Sequence, residues 1–160
     1  MSNYSELDLA GIRAARAELQ SQEDAVSFVR RMAQGRLDIA RDEQRRRLAN
    51  LPTSSTASDL AGVFGQEHGG GSARPPRETN VSTDHPLVVE LERLCERNGF
   101  GSIRTLDVDA LQRVIDELAT FENARSGERR ALFDQIDALT AELVKRYKDG
   151  GANVDALLND

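Results

Sequence analysis

The sequence predicts an all-α protein: a long antiparallel two-helix coiled-coil hairpin with a short extra helix and a disordered linker. Three observations carry this. Residues 5–50 hold no proline and only two glycines, Gly11 and Gly35, and are dominated by Ala, Arg, Leu, Glu and Gln, which form helices well. Within them Ile12, Leu19, Val26, Ala33 and Ala40 recur every seven residues, the repeat of a coiled-coil seam. Aromatic residues make up only 4% of a chain that is 39% hydrophobic, so the core falls to Leu, Ile, Val and Ala. Large β-rich cores draw instead on aromatic and β-branched residues.

The first unit spans residues 1–50. Ser5 and Asp8 offer a helix start, Gly11 a point where the helix can break, and Pro52 an end. Residues 51–83 form the expected linker, rich in Ser, Thr, Gly and Pro, with one short apolar island from Leu60 to Phe64. Its glycine run, Gly69 to Gly71, does not make a phosphate loop, because no strand precedes it and no Gly-Lys-Ser/Thr follows. His68 and His85 have no second ligand at metal spacing, so no metal site is expected.

The last unit, residues 84–160, opens with "HPLVVELERLCERN". This reads as a short amphipathic helix, with Pro86 in its first turn and "NGFG" as its stop. The one cysteine, Cys95, excludes an internal disulfide, fits a reducing compartment and reads as a packed thiol. A second long helix is expected from Asp107 or Asp109 to about Lys148, with apolar positions at Leu111, Ile115, Leu118, Leu132, Ile136, Leu143 and Tyr147. Gly150 and Gly151 supply a stop, after which "NVDALLND" can add a turn. Two such helices bury their single apolar stripes against each other.

A formal charge of −6 disfavours binding to long nucleic acids, which depends on neutralising many phosphates, so no direct DNA binding is expected. No apolar run nears the roughly 20 residues that span a bilayer, and the N-terminus lacks a hydrophobic signal core. The expectation is a cytoplasmic protein without membrane contact. No Cys/His pair, Ser/His/Asp set or metal cluster is apparent, so no enzymatic activity is expected.

An internal repeat carries the functional signal. A shift of 99 residues lays "EDAVSFVRRMAQGRLD" (residues 23–38) over "ENARSGERRALFDQID" (residues 122–137). Glu23 meets Glu122, Ser27 meets Ser126, Arg30 and Arg31 meet Arg129 and Arg130, and Asp38 meets Asp137. The apolar frame is shared as well, with Ala33 over Leu132 and Leu37 over Ile136. At about 100° per residue, Glu23, Ser27, Arg30, Gln34 and Asp38 fall in one stripe roughly 80° wide beside the apolar seam. Paired antiparallel, two such helices set two polar stripes about a pseudo-twofold axis, where a twofold-symmetric ligand can lie. Arginine forks suit guanine O6 and N7 or stack on a base, carboxylates suit guanine N–H donors, and Ser and Gln reach phosphate or base edges. Acids and arginines together suit a ligand with both purine donors and phosphates. The competing reading is a solvated stripe of intrahelical pairs on a scaffold or adaptor that binds partners without nucleotide.

The spacing Glu-x3-Ser-x2-Arg-x3-Gln-x3-Asp, complete at Glu23, Ser27, Arg30, Gln34 and Asp38, resembles the cyclic di-GMP signature of the RsiG family of actinobacterial anti-sigma factors. "FVRRMAQGRLDI" and "IDALTAELVKRYKDGGANVDALL" resemble that family too, and the likeness covers about residues 6–48 and 86–158. It implies two motif-bearing helices in an antiparallel coiled coil, cyclic di-GMP as ligand with no other cofactor, and capture of a WhiG-type sigma factor that controls sporulation. The implied contacts are Glu23, Ser27, Arg30, Gln34 and Asp38, then Glu122, Ser126, Arg129 and Asp137. Relatives with one motif per chain bind as homodimers, which leaves a homodimer open. The second copy departs from the pattern at Phe133, where Gln is expected. Phe133 can stack on a base or join the seam, but it cannot hydrogen-bond a base edge.

Phe28, Met32 and Ile39 lie roughly opposite the motif stripe. Two readings are open for them: packing against the short helix around Leu87 to Leu94, or a partner-binding patch.

Overall fold

The computed structural model describes residues 6–50 and 81–157, with side chains up to residue 150. The expected linker, with Leu60–Phe64, His68 and Gly69–Gly71, lies outside the described residues except for Val81–Thr83. Among the described residues the secondary structure is helical throughout.

Helix α1 (Leu9–Leu48) starts at Asp8, whose Oδ1 accepts the Gly11 amide at 2.7 Å. The side chain thereby satisfies one of the first-turn amides that a helix leaves unpaired. Gly11 does not break the helix as expected. It makes room for the cap, since a Cβ there would lie 3.0 Å from Asp8 Oδ1 and 3.4 Å from Leu7 Cβ. Arg45, Arg46 and Arg47 in the last turn complement the helix dipole. Asn50 follows at φ +52°, in the left-handed region that asparagine tolerates after a helix.

Helix α2 (Pro86–Arg97) is capped by His85, whose Nδ1 accepts the Leu87 amide at 3.2 Å, and Pro86 fills the first turn. Gly99, at φ +68°, turns the chain in the left-handed region. A Cβ there would also press on Leu106 Cδ2 at 3.2 Å, so both conformation and space call for glycine. A 3-10 turn at Phe100–Thr105 leads to Asp107, whose Oδ1 accepts the Ala110 amide at 2.7 Å and opens α3 (Val108–Leu157).

The expected stop at Gly150 and Gly151 is overridden, and α3 runs on to Leu157. Glycine costs a helix about 1 kcal/mol relative to alanine but keeps its amide. Proline is the residue that breaks the ladder, and none follows.

The pairing of α1 with α3 is antiparallel: Gln44 meets Gln112, Arg30 meets Glu122, and Arg13 meets Tyr147. Apolar contacts divide into two clusters. At one end Val29, Ala33, Leu37 and Ala40 pack on Leu111, Val114, Ile115, Leu118 and Phe121, with Val88, Leu91, Leu94 and Cys95 of α2 as the third side. At the other, Ile12 meets Leu139 and Leu143, flanked by Leu9, Ala15 and Leu19. Each wholly buried Leu or Ile contributes about 1.5–3 kcal/mol of transfer free energy. Tyr147, expected in the seam, is 51% exposed, and the Arg13 guanidinium stacks 5.6 Å from its ring centroid.

Two arginines of α1 dock the second unit. Arg36 donates to Cys95 Sγ at 3.2 Å, pairs with Glu92, and stacks on Phe100 at 5.9 Å. Cys95 is the packed thiol expected, and burial pushes its pKa up, against the opposing pull of Arg36. Arg47, held by Glu43 at 2.8 Å, donates to the carbonyls of Leu106 (2.6 Å), Ile103 (3.0 Å) and Arg104 (3.1 Å). Carbonyls of the connecting turn are thus satisfied by a charged donor, which makes the stronger kind of hydrogen bond.

Candidate functional site

Between the two apolar clusters the seam turns polar. Heptad spacing brings Val26 and Ala33 into the seam and places Glu23, Ser27, Arg30 and Gln34 along its edge. On α3, Leu118 and Leu132 do the same for Glu122, Ser126 and Arg129.

The two motif copies bond to each other. Arg30 Nη1 donates to Glu122 Oε1 at 3.0 Å, and Ser126 donates to the same oxygen at 2.9 Å. In the mirrored arrangement, Arg129 Nε donates to Glu23 Oε1 at 3.1 Å and to Ser27 Oγ at 2.9 Å, while Ser27 donates to Glu23. Each carboxylate therefore takes a serine from its own helix, and each Arg–Glu pair crosses to the other helix. Swapping the helices maps one Glu–Ser–Arg group onto the other, which is the pseudo-twofold relation that the shift of 99 residues requires.

Burial differs between the halves. Glu23 and Ser27 are buried at 8% exposure each, whereas Glu122 and Ser126 are half-buried. A carboxylate at that depth needs a partner, because an unpaired buried charge is costly. Arg129 and Ser27 are its partners. The arginines are also held from opposite sides. Arg30 is bonded through Nη1, to Glu122 and to Gln34 Oε1 at 3.0 Å, and its buried Nε has no hydrogen-bond partner among the described residues. Arg129 is bonded through Nε, and its guanidinium lies 4.7 Å from the Phe133 ring centroid.

Of the nine residues expected in the site, the structure brings together Glu23, Ser27, Arg30, Gln34, Glu122, Ser126 and Arg129. Asp38 and Asp137 each lie one helical turn past the fourth motif position of their own helix, half-buried and exposed respectively. The contact from Phe133 to Arg129 went unread, though a spacing of four on one helix already carried it. The roles of Arg36 and Arg47 were not in the sequence pattern. Of the apolar residues opposite the stripe, Phe28 and Met32 pack partly buried against the core that α2 completes, and Ile39 is 40% exposed.

No helix among the described residues is long and apolar enough to cross a membrane. No curated protein matches the chain. The family model described as RsiG-like matches residues 1–63, a span that contains the first motif copy and ends before the second.

Proposed function

On the premise that the RsiG-like match over residues 1–63 supports assigning the chain to that family, we propose that it is a cyclic di-GMP-binding anti-sigma factor. In this reading it sequesters a WhiG-type sigma factor and so controls developmental transcription. The family points to an anti-sigma-type regulatory role rather than to catalysis. The observation that carries the nucleotide reading is the pair of mirrored Glu–Ser–Arg groups across one seam. A twofold ligand with a guanine and a phosphate in each half has matching chemistry. Arginine forks take guanine O6 and N7 or phosphate, and carboxylates accept from guanine N–H groups. Binding exchanges the Arg30–Glu122 and Arg129–Glu23 pairs for ligand contacts, so the ion pairs keep both arginines extended beforehand. Asp38 and Asp137 extend the two stripes by a turn each.

Isothermal titration with cyclic di-GMP tests this. Binding at micromolar ligand that disappears in Arg30→Ala/Arg129→Ala is the expected result; no heat from the wild-type chain, or unchanged binding by the double variant, overturns it. Co-purification with the sigma factor in the presence and absence of ligand then tests the partner.

One observation favours a second reading, a coiled-coil scaffold that binds protein partners without nucleotide. Arg30 and Arg129 are already paired within the protein, as structural staples between helices would be. A melting scan separates the two. Ligand at about 100 times its Kd raises stability by roughly 2.7 kcal/mol if it binds the folded state; a scaffold melts unchanged.

A further inference from the structure

The second motif copy lacks the glutamine that the first uses to hold its arginine. Gln34 lies four residues after Arg30 and accepts its Nη1 at 3.0 Å; Phe133 lies four residues after Arg129, and the guanidinium sits 4.7 Å from its ring centroid. Residues four apart on a helix share a face, so both neighbours reach the arginine that precedes them. A guanidinium over an aromatic face is attracted to the ring's negative face and loses little hydration there.

We propose that Phe133 is a positioning residue for Arg129: stacking replaces the hydrogen bond that glutamine supplies in the first copy and keeps the second half-site competent. The geometry also sets which edge of each arginine is used. Gln34 and Glu122 engage Arg30 at Nη1, whereas Glu23 and Ser27 engage Arg129 at Nε. Phe133 holds the guanidinium by its face, and among the described residues the hydrogen bonds of Arg129 run through Nε, apart from the Nη fork that takes a guanine edge or a phosphate. The two halves of the site are thus similar in composition and different in the edge they offer. What reads in sequence as a damaged motif is a second way of fixing the same side chain.

Only one arm of the test rests on the nucleotide reading. In the ligand-free protein, the Arg129 Nε–H resonance of Phe133→Leu, which keeps bulk and removes the ring, is expected to exchange with solvent several-fold faster than in the wild type. Phe133→Gln and Phe133→Tyr restore slow exchange. Unchanged exchange in Phe133→Leu overturns the proposal whatever the ligand. In titrations with cyclic di-GMP, Phe133→Leu is expected to bind roughly fivefold more weakly, the size of one cation–π contact, and Phe133→Gln and Phe133→Tyr to recover most of that. The loss disappears when Arg129→Ala is already present, because Phe133 acts through that arginine. An undiminished loss in the Arg129→Ala background would mean that Phe133 meets the ligand itself, and it would overturn the positioning role. If the wild-type chain takes no cyclic di-GMP, the function reading fails and the exchange measurement alone decides the role of Phe133.

Discussion

At one end of the hairpin Val29, Ala33 and Leu37 meet Leu111, Val114 and Leu118, and Val88, Leu91 and Leu94 of α2 close the third side. At the other, Ile12 meets Leu139 and Leu143 with no third helix among the described residues, and Val144 and Tyr147 stand 47% and 51% exposed. Two helices alone can bury one stripe each; a third element lets α1 bury a second face, where Phe28 and Met32 pack. The bare end relies instead on polar ties across the helices, such as Arg13 on Tyr147 and Arg146 on the Leu7 carbonyl. Such exposed ties are each worth at most about 1 kcal/mol. The candidate site lies where the two regimes meet. Its Gln34–Arg30 half faces the end covered by α2, and its Phe133–Arg129 half faces the bare one. An arginine on the less supported side is the one that gains most from a rigid aromatic neighbour.

The largest test removes one leucine from each end. Leu118 and Leu139 are both wholly buried, but Leu118 belongs to the three-helix cluster. Leu118→Ala is expected to cost about 3–5 kcal/mol and Leu139→Ala about 2–3, because a site next to solvent collapses more easily around the lost volume. Urea denaturation measures both. Equal losses would mean that α2 adds nothing to the packing of the hairpin.

Next in size is the arginine that docks α2. Arg36→Ala removes the donor to Cys95, the partner of Glu92 and the stack on Phe100 together, with an expected loss of about 1–2 kcal/mol. Cys95 should then react faster with a thiol reagent, since the helix that buries it opens more often. A stability loss without faster thiol reaction would place the effect in α1 rather than in docking.

A gain is expected at the bare end. Gly150→Ala replaces a helical glycine with nothing within 4 Å of the added Cβ, so it is expected to stabilise the end of α3 by up to about 1 kcal/mol. Slower amide exchange over residues 142–150 is the readout. Unchanged exchange would show that α3 stops near Lys148, as its glycines suggest on sequence grounds.

That case marks the boundary of what the sequence discloses. Helix class, antiparallel pairing, the seam at Ile12, Val26, Ala33 and Ala40, and the repeat are periodic, and periodicity survives folding into the same residues buried. Gly11 and Gly150 misled because glycine has two uses. One makes room for a cap, the other is a modest cost that a long helix absorbs, and local sequence does not separate them. Glu43 sits beside Arg41 and Asp42 in a run of charges that looks in sequence like a solvated helix face, yet its side chain is only 11% exposed. It holds the Nε of Arg47, whose acceptors are backbone carbonyls more than fifty residues away. No pattern of side chains reveals a bond of that kind. The pairing of the two motif copies was legible because both partners of each ion pair belong to the repeat.

The smallest expected effect is electrostatic and lies at the covered end. Glu117 of α3 accepts from Arg97 at 2.7 Å and from Asn98 at 2.9 Å, tying α3 to the end of α2. The hydrogen bond from Arg97, helped by that from Asn98, holds its carboxyl below the usual glutamate value. A carboxylate with a lowered pKa in the folded state contributes stability above its unfolded value of about 4.3, and that contribution fades as the pH falls through the lower folded pKa. Arg97 and Glu117 are exposed at 66% and 41%, so solvent screening keeps the tie below about 1 kcal/mol. Between pH 5 and pH 3, Glu117→Gln is therefore expected to lose slightly less stability than the wild type, with the difference shrinking in high salt. Because the loss is small beside that of Leu118→Ala, acid should loosen the hold of α3 on α2 without erasing the contrast between the ends. A Glu117→Gln protein whose melting follows pH as the wild type does would remove this tie from the covered end and leave packing to account for the contrast.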